Sequence, residues 1–301
     1  MDILLTGSNG FLGAILYKRL KNHFSIYRLS RNNADFNIDL SLKVPLFSKK
    51  FDLVIHAAGK AHFIPKTILD STIFFDNNVR GTENLLKALE NGNLPQYFIF
   101  ISSVSVYGLI QGESINETTP LLAKDTYGKS KIEAEQIIKN WCKEHNVIYT
   151  ILRLPLVVGY NPPGNLGSMI KAIKKGYYFN IAGGNAKKSM VLASDVAKFI
   201  LNAAEVGGTF NLTDGKHPTF IELSKNISLQ IGKSFIPNMP LFIAKVLAKI
   251  GDIIGNSFPI NSNKLSKITS TLTFDDSKAR TAFGWDPTCV LDGFKLQDDA
   301  H

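Results

Sequence analysis

Two hydrophobic patterns alternate along the first half of the chain. Short apolar runs at 2–6 (DILLT), 24–29, 36–40 (FNIDL), 51–57 (FDLVIHA), 97–102 (YFIFIS) and 147–154 (VIYTILRL) have strand length. Between them, 10–21, 70–91 and 126–145 carry apolar residues at helical spacing, and the second of these helices is expected to end near Gly92. Strands that are apolar on both faces and separated by helices predict a parallel sheet covered on both sides. The pattern loosens after about residue 155. Pro162-Pro163-Gly164 predicts a turn, 166–175 a helix, and 188–205 a strand end followed by a helix that rejoins the sheet. From 211 onward the elements shorten. The expected organisation is a sheet domain at 1–160, joined again by about 186–210, with a smaller substrate-binding lobe from 161–185 and 211–301.

One apolar segment stands apart. In LFIAKVLAKIGDIIG, 241–255, the charges Lys245, Lys249 and Asp252 form one narrow polar stripe. This predicts a helix covering the core with the stripe outward. The alternative is a helix lying on a membrane surface or a partner. No stretch reaches the roughly 18–20 uninterrupted apolar residues of a membrane span. The N-terminus lacks a basic region before its first apolar run, so no secretion signal is read and a cytoplasmic protein is expected.

Composition narrows the classes. Hydrophobic residues make up 45% and charged residues 20% of 301, which excludes global disorder. Two cysteines, Cys142 and Cys289, cannot build a disulfide framework, and no metal-ligand spacing is present, so no metal is expected. The formal net charge of +9 favours anionic partners. Aromatic residues are not interleaved with Lys and Arg as a base-stacking surface requires, so nucleic acid is not expected and a phosphate-bearing small ligand is.

The first run passes into Gly7-Ser8-Asn9-Gly10-Phe11-Leu12-Gly13 and then a helix. Glycines in a strand-to-helix turn permit close approach of a dinucleotide pyrophosphate, which rests on free amides at the helix start. The expected fold is therefore a Rossmann-type doubly wound parallel sheet. The second strand ends Arg28-Leu29-Ser30-Arg31, without the carboxylate that would repel a 2′-phosphate. Ser30 and Arg31 favour NADP over NAD, since Arg31 offers two parallel donors.

Two later features carry chemistry. Ser103 follows the fifth strand, and Tyr127 and Lys131 lie four apart on one helix face. A phenol ionises near pH 10, and a neighbouring ammonium lowers that value. Such a site transfers a proton through Tyr127 while a nicotinamide carries the hydride, with Ser103 on the same substrate oxygen.

TGSNGFLG at 6–13, HAAG at 56–59, NNVRGTENLL at 77–86, SSVSVYG at 102–108, YGKSK at 127–131 and LRLPLVVG at 152–159 occur in this order. Together they resemble the extended short-chain dehydrogenase/reductases of the nucleotide-sugar epimerase, reductase and dehydratase type. The resemblance spans about residues 1–200 and extends to Asp276-Ser277-Lys278-Ala279-Arg280 and Phe283-Gly284-Trp285. It implies that Ser103, Tyr127 and Lys131 are the catalytic trio, with Lys131 also on the nicotinamide ribose. It places Asp39 and Leu40 at the adenine, Ala57, Ala58 and Gly59 along the dinucleotide, Asn78 behind its loop, and Pro155 at the nicotinamide. Ser105 would join Ser103 at the sugar, and Asn165 and Lys188 would hold the substrate diphosphate. It also implies a homodimer through the helices near 80–91 and 127–145, where Leu85, Leu86, Leu89, Ile137, Ile138 and Trp141 exceed what one sheet face needs.

In relatives that dehydrate the sugar, acidic residues follow the catalytic Ser or Thr. Val104 and Ser105 stand there, so dehydration is disfavoured. The expected reaction is at C4 of a nucleotide-diphosphate sugar, with a 4-ketoreductase placed slightly ahead of a UDP-hexose 4-epimerase. A non-catalytic NADP-binding protein is the remaining alternative.

Overall fold

The computed structural model describes residues 1–61, 68–91, 94–233, 235–255, 258 and 260–296. The expected helix stop at Gly92 lies outside the described residues. The first half contains strands β1 (Asp2–Thr6), β2 (Ser25–Ser30), β3 (Phe36–Asn37), β4 (Leu53–His56) and β5 (Tyr97–Ser103), with helices α1 (Phe11–Leu20), α2 (Ile68–Phe75) and α3 (Gly81–Glu90) between them. Then come β6 (Gly112–Ile115), α4 (Thr126–Glu144), β7 (Ile148–Leu154), β8 (Leu156–Val158), α5 (Gly164–Lys175), β9 (Asn180–Ile181), β10 (Met190–Leu192), α6 (Ala193–Val206) and β11 (Gly208–Asn211). The remainder holds α7 (Phe220–Gln230), β12 (Asn238–Met239), α8 (Leu241–Ile254), α9 (Ser262–Thr269), β13 (Leu272–Phe274), α10 (Ser277–Phe283) and α11 (Val290–Gly293).

Seven strands form one sheet in the order β11-β7-β5-β4-β1-β2-β3, and every pair is parallel. This is the doubly wound Rossmann-type sheet. The strand order reverses between β1 and β4, so the carboxyl ends of these two strands open a crevice. The central strands are apolar throughout because helices cover both faces: Ile3, Leu4, Leu5, Leu53, Val54 and Ile55 are fully buried. One core packs α1 and α6 against the sheet around Leu16, Val196 and Ile200, and the other packs α3 and α4 around Leu85, Leu89 and Ile138. The loosened half contributes a third core, from α5, α7 and β10.

Four expectations change. The run 36–40 is a strand only over its first two residues. Asp39 turns the chain, accepting hydrogen bonds at Oδ1 from the Ser41 backbone N–H (3.0 Å) and hydroxyl (2.6 Å). The helix expected over 70–91 is interrupted by a π-turn, Asp76–Arg80. The apolar surplus expected of α3 and α4 is mostly taken up within the chain: Leu85, Leu86, Leu89, Ile138 and Trp141 are buried, and Ile137 is partly exposed. Finally, 277–285 does not pack as part of the lobe: Ala279, Phe283 and Trp285 belong to the core beside α6.

The segment 241–254 is helical with Lys245, Lys249 and Asp252 exposed as expected, but the face it turns inward is not its bulky one. Its buried residues are the small ones, Ala244, Ala248 and Gly251, and its large apolar side chains face outward. Among the described residues, no helix is long and apolar enough to cross a membrane. Both cysteines are free thiols, and burial pushes Cys142 up to about 12.

Trp285 is 2% exposed, donates its indole N–H to the Thr213 carbonyl (2.9 Å) and packs edge-on against Phe199. Replacing a buried aromatic by Ala costs about 3–5 kcal/mol. Trp285→Ala should lower the unfolding free energy by that amount in a denaturant titration, whereas a lobe-only residue would leave the sheet core's transition in place.

Candidate active site

The crevice is built on the turn after β1. Gly7 has φ +69°, donates its N–H to the Leu29 carbonyl (2.8 Å), and accepts from the Gly10 N–H (2.9 Å). A Cβ on Gly7 would stand 2.6 Å from the Ala58 backbone nitrogen, and one on Gly13 only 2.1 Å from the Gly7 carbonyl oxygen. These close approaches bring the turn, the start of α1 and the end of β4 together. No side chain caps α1 at Gly10, so its first amides face the crevice. Asn9 donates its amide to the Asn32 carbonyl and its N–H to Ser30 Oγ, joining the glycine turn to the end of β2.

The cavity here is lined by Gly7, Asn9, Gly10, Ser30, Arg31, Asp39, Leu40, Ala57, Ala58 and Gly59, all expected from the sequence. It also takes in Asn32, Ile38, Ser41, Lys60 and Asn77, which were not expected. Phe11 turns instead toward Gly159 after β8, and Pro155 stands between β7 and β8. Arg28, in β2, is turned away: it pairs with Asp35 (3.5 Å) and lies over the Tyr17 ring.

His56 is a strut, not a base. Thr82 gives its hydroxyl proton to the Asn78 carbonyl (2.6 Å), so Thr82 Oγ1 must accept from His56 Nε2–H (3.0 Å). Nδ1 is then the acceptor for the Thr6 hydroxyl (2.7 Å), whose oxygen also accepts from the Ala58 N–H (3.1 Å). Burial and the Lys131 charge hold His56 down to about 3, so the ring is neutral. The Asn78 side chain comes from the π-turn. It accepts from the Lys60 N–H (2.7 Å) and donates to the Lys60 carbonyl (3.2 Å) and to Ser130 Oγ (2.9 Å). The inserted turn thus ties the loop after β4 to the helix carrying Tyr127 and Lys131.

Ser103 ends β5, where its oxygen caps the short turn Val104–Tyr107 by accepting from the Ser105 N–H (3.2 Å) while its hydroxyl donates to Ser105 Oγ (3.1 Å). Asp125 caps α4 through the Gly128 N–H (3.0 Å), placing Tyr127 and Lys131 in its first two turns. The Tyr127 ring packs against Phe74, with centroids 5.8 Å apart. Burial pushes its phenol up, Asp125 adds to the rise, and the Ser103 hydroxyl pulls it back. The Lys131 ammonium does not provide the expected lowering. Its Nζ donates to the Ile101 carbonyl (2.9 Å) and lies 4.4 Å from the Phe100 ring centroid. Burial lowers Lys131 to about 8, and Glu135 opposes that fall. An added Cβ on Gly59 would sit 3.4 Å from Lys131 Nζ, so the amine borders the dinucleotide crevice.

Beneath this layer lies a network whose role was not read from the sequence. Glu135, 1% exposed, is held bidentately by Arg153 (Nε 3.0 Å, Nη2 2.7 Å) and accepts from Ser102 Oγ (2.6 Å). Arg153 also donates to the Tyr107 hydroxyl (3.0 Å), which donates to Asn211 (2.8 Å). Glu135 stands four residues beyond Lys131, and that i,i+4 spacing was the available signal.

Asn165 and Lys188 lie on separate elements. Asn165 is exposed in the first turn of α5. Lys188 is half-buried beside β13 and lowered to about 8 by burial and by Lys267, so an anion there would relieve two like charges.

The family model described as "NAD dependent epimerase/dehydratase family" matches residues 3–212. The chain belongs to this family. Members of known name are similar over nearly its whole length. A UDP-glucose 4-epimerase of Vibrio cholerae is 27% identical, covering 98% of this chain and 93% of its own. An Escherichia coli O157:H7 protein named N-acetyl-alpha-D-glucosaminyl-diphospho-ditrans,octacis-undecaprenol 4-epimerase is 26% identical, with 93% and 89% covered. Among solved structures, a Thermotoga maritima UDP-glucose 4-epimerase with UDP-glucose superposes with TM-score 0.75 at 22% identity, over 98% of this chain and 97% of that one. RMD from Pseudomonas aeruginosa, complexed with NADPH, gives 0.73 at 21%, over 96% and 94%. These likenesses establish the fold. Family membership makes the chain an NAD(P)-dependent epimerase/dehydratase-type enzyme, and the crevice fits a dinucleotide. Its glycine positions leave no room for a Cβ, and the amides at the start of α1 carry no side-chain cap.

Removing one member of a buried ion pair strands the other charge and costs about 3–5 kcal/mol. Glu135→Ala should lose stability of that size in equilibrium unfolding at neutral pH. A loss within the range of about 0–1 kcal/mol of an exposed pair would show that the network does not hold the site.

Proposed function

We propose that this chain is a C4 epimerase of a diphosphate-linked hexose. The observation that carries the reading is Tyr127, Ser103 and Lys131 gathered at the carboxyl end of β5 beside the glycine crevice. In this reading, Gly7, Asn9, Gly10 and Gly13, with the backbone amides of Phe11 and Leu12, cradle the dinucleotide, and Asp39 and Leu40 face its adenine. Ala57, Ala58 and Gly59 line its path, Asn78 fixes its loop, and Pro155 borders the nicotinamide. When bound, the nicotinamide supplies the hydride acceptor and donor. Tyr127 takes the proton of the C4 hydroxyl and returns it, Ser103 and Ser105 hydrogen-bond the sugar, and Lys131 binds the ribose. Asn165 and Lys188 hold the diphosphate, which both nucleotide and polyprenol carriers present.

The end of β2 alone favours one-way hydride delivery from an exchanging NADPH, as in a 4-ketoreductase. The two near-full-length relatives, both named 4-epimerases, favour reversal at C4. The retained cofactor decides between them. An epimerase keeps its dinucleotide through repeated turnovers and converts substrate without added cofactor, while a ketoreductase consumes NADPH stoichiometrically. A homodimer rests on the family resemblance alone, since most of the apolar residues of α3 and α4 are taken up inside the chain.

Tyr127→Phe should keep dinucleotide binding and lose about 10²–10⁴-fold in turnover on UDP-hexoses, the range for a lost acid–base group. Near-normal turnover would reject Tyr127 as the proton carrier. Arg31 lines the crevice, and a charge-assisted pair to a 2′-phosphate contributes about 1.5–3 kcal/mol when desolvated. NADP(H) should therefore bind more tightly than NAD(H) in calorimetric titration, by roughly tenfold for a partly exposed arginine. Arg31→Ala should remove the difference, and a preference for NAD(H) in the unaltered chain would reject the role given to Arg31 and leave the epimerase reading standing.

A further inference from the structure

The outward face of α8 carries a cluster of exposed large apolar side chains. Phe242 is 69% exposed, Val246 58%, Ile253 88% and Ile254 55%. At 3.6 residues per turn, Phe242, Val246, Ile250 and Ile253 fall within an arc of about 80°. The opposite face is the stripe Ala244, Ala248 and Gly251, seated on Leu265 of α9 with Ile181, Met239 and Ile260 around it. A Cβ on Gly251 would meet the Ile260 carbonyl oxygen at 1.9 Å, so the helix is fixed in this rotation and cannot turn its large residues inward. A helix that only covered a core would bury its bulky side chains and expose its small ones.

The charges say what the face meets. Lys245 and Lys249 stand on one margin of the apolar arc. The α8–α9 hairpin, 241–269, holds four lysines and a single acid. That acid, Asp252, is engaged by the Ser262 N–H and hydroxyl. Pairing of this face with its own copy across a two-fold axis would bring the lysine margins of two +9 molecules together, with only the Asp252 carboxylates, already engaged by Ser262, to answer them. An anionic bilayer answers both features, with acyl chains for Phe242, Val246, Ile250 and Ile253 and headgroup phosphates for the lysines.

We propose that α8 seats the protein peripherally on an anionic lipid bilayer, its axis in the membrane plane. The helix is too short to span and is anchored on one side by α9, so it docks the lobe without insertion. The proposal does not depend on which sugar or cofactor the crevice takes.

Cosedimentation with vesicles of phosphatidylethanolamine and phosphatidylglycerol in equal parts tests it. The unaltered chain should bind these vesicles and not pure phosphatidylcholine. Val246→Glu with Ile253→Glu should reduce the bound fraction at least about tenfold, with circular dichroism and dinucleotide binding unchanged. Lys245→Glu with Lys249→Glu should weaken binding on the order of tenfold, and added salt should do the same. Phe242→Trp should blue-shift its emission on adding the anionic vesicles. Absence of binding, binding indifferent to Val246→Glu with Ile253→Glu, or a lipid-free dimer abolished by that same pair would each overturn the proposal. The last outcome would assign the face to a second copy.

Discussion

The buried pair between Glu135 and Arg153 is the constraint on which the site depends. It joins the middle of α4 to β7, reaches β5 through Ser102, and reaches β11 through Tyr107 and Asn211. Each connection is made where water is excluded, so each polar atom needs its protein partner. The pair sets the height of α4 over the sheet. That height decides whether Lys131, one turn earlier, meets the Ile101 carbonyl and whether Tyr127, two turns earlier, stands over the end of β5. Breaking such a pair costs far more than an apolar pair in its place would lose, so the arrangement reads as positional and not as a source of net stability.

Much of the fold was legible because parallel sheets leave a strong mark. Both faces of β1, β4 and β5 are covered, so their sequences are nearly uninterrupted apolar runs. The glycine turn was legible for a related reason: steric exclusion of a Cβ restricts the residue type, and restriction shows in sequence. Two members of the candidate site were legible through the fixed four-residue spacing that puts Tyr127 and Lys131 on one helix face.

What escaped the sequence depended on direction. The periodicity of 241–254 revealed an amphipathic helix but not which face pointed inward, because a small-residue stripe and a polar stripe can both be read as the outer side. The leucines of α3 and α4 showed apolarity without showing that one chain would bury all of them. The π-turn at Asp76–Arg80 adds a residue to a helix whose composition is ordinary, so only its consequence, Asn78 reaching Lys60 and Ser130, makes it visible. The expected effect of Lys131 on Tyr127 failed for an electrostatic reason. Proximity in sequence does not aim an ammonium, and the backbone carbonyl of Ile101 holds it.

The core that backs β1 is closed by residues almost 280 positions later in the chain. Ala279, Phe283 and Trp285 complete the packing against α6 and Phe210. During synthesis the amino-terminal strands leave the ribosome first. They can pair early, with β2 and β4 flanking β1, but the face under α1 and α6 stays unsealed until Trp285 has emerged. The nascent protein therefore carries an incomplete hydrophobic layer for most of its translation, and a stalled or truncated product would present that layer to chaperones and proteases.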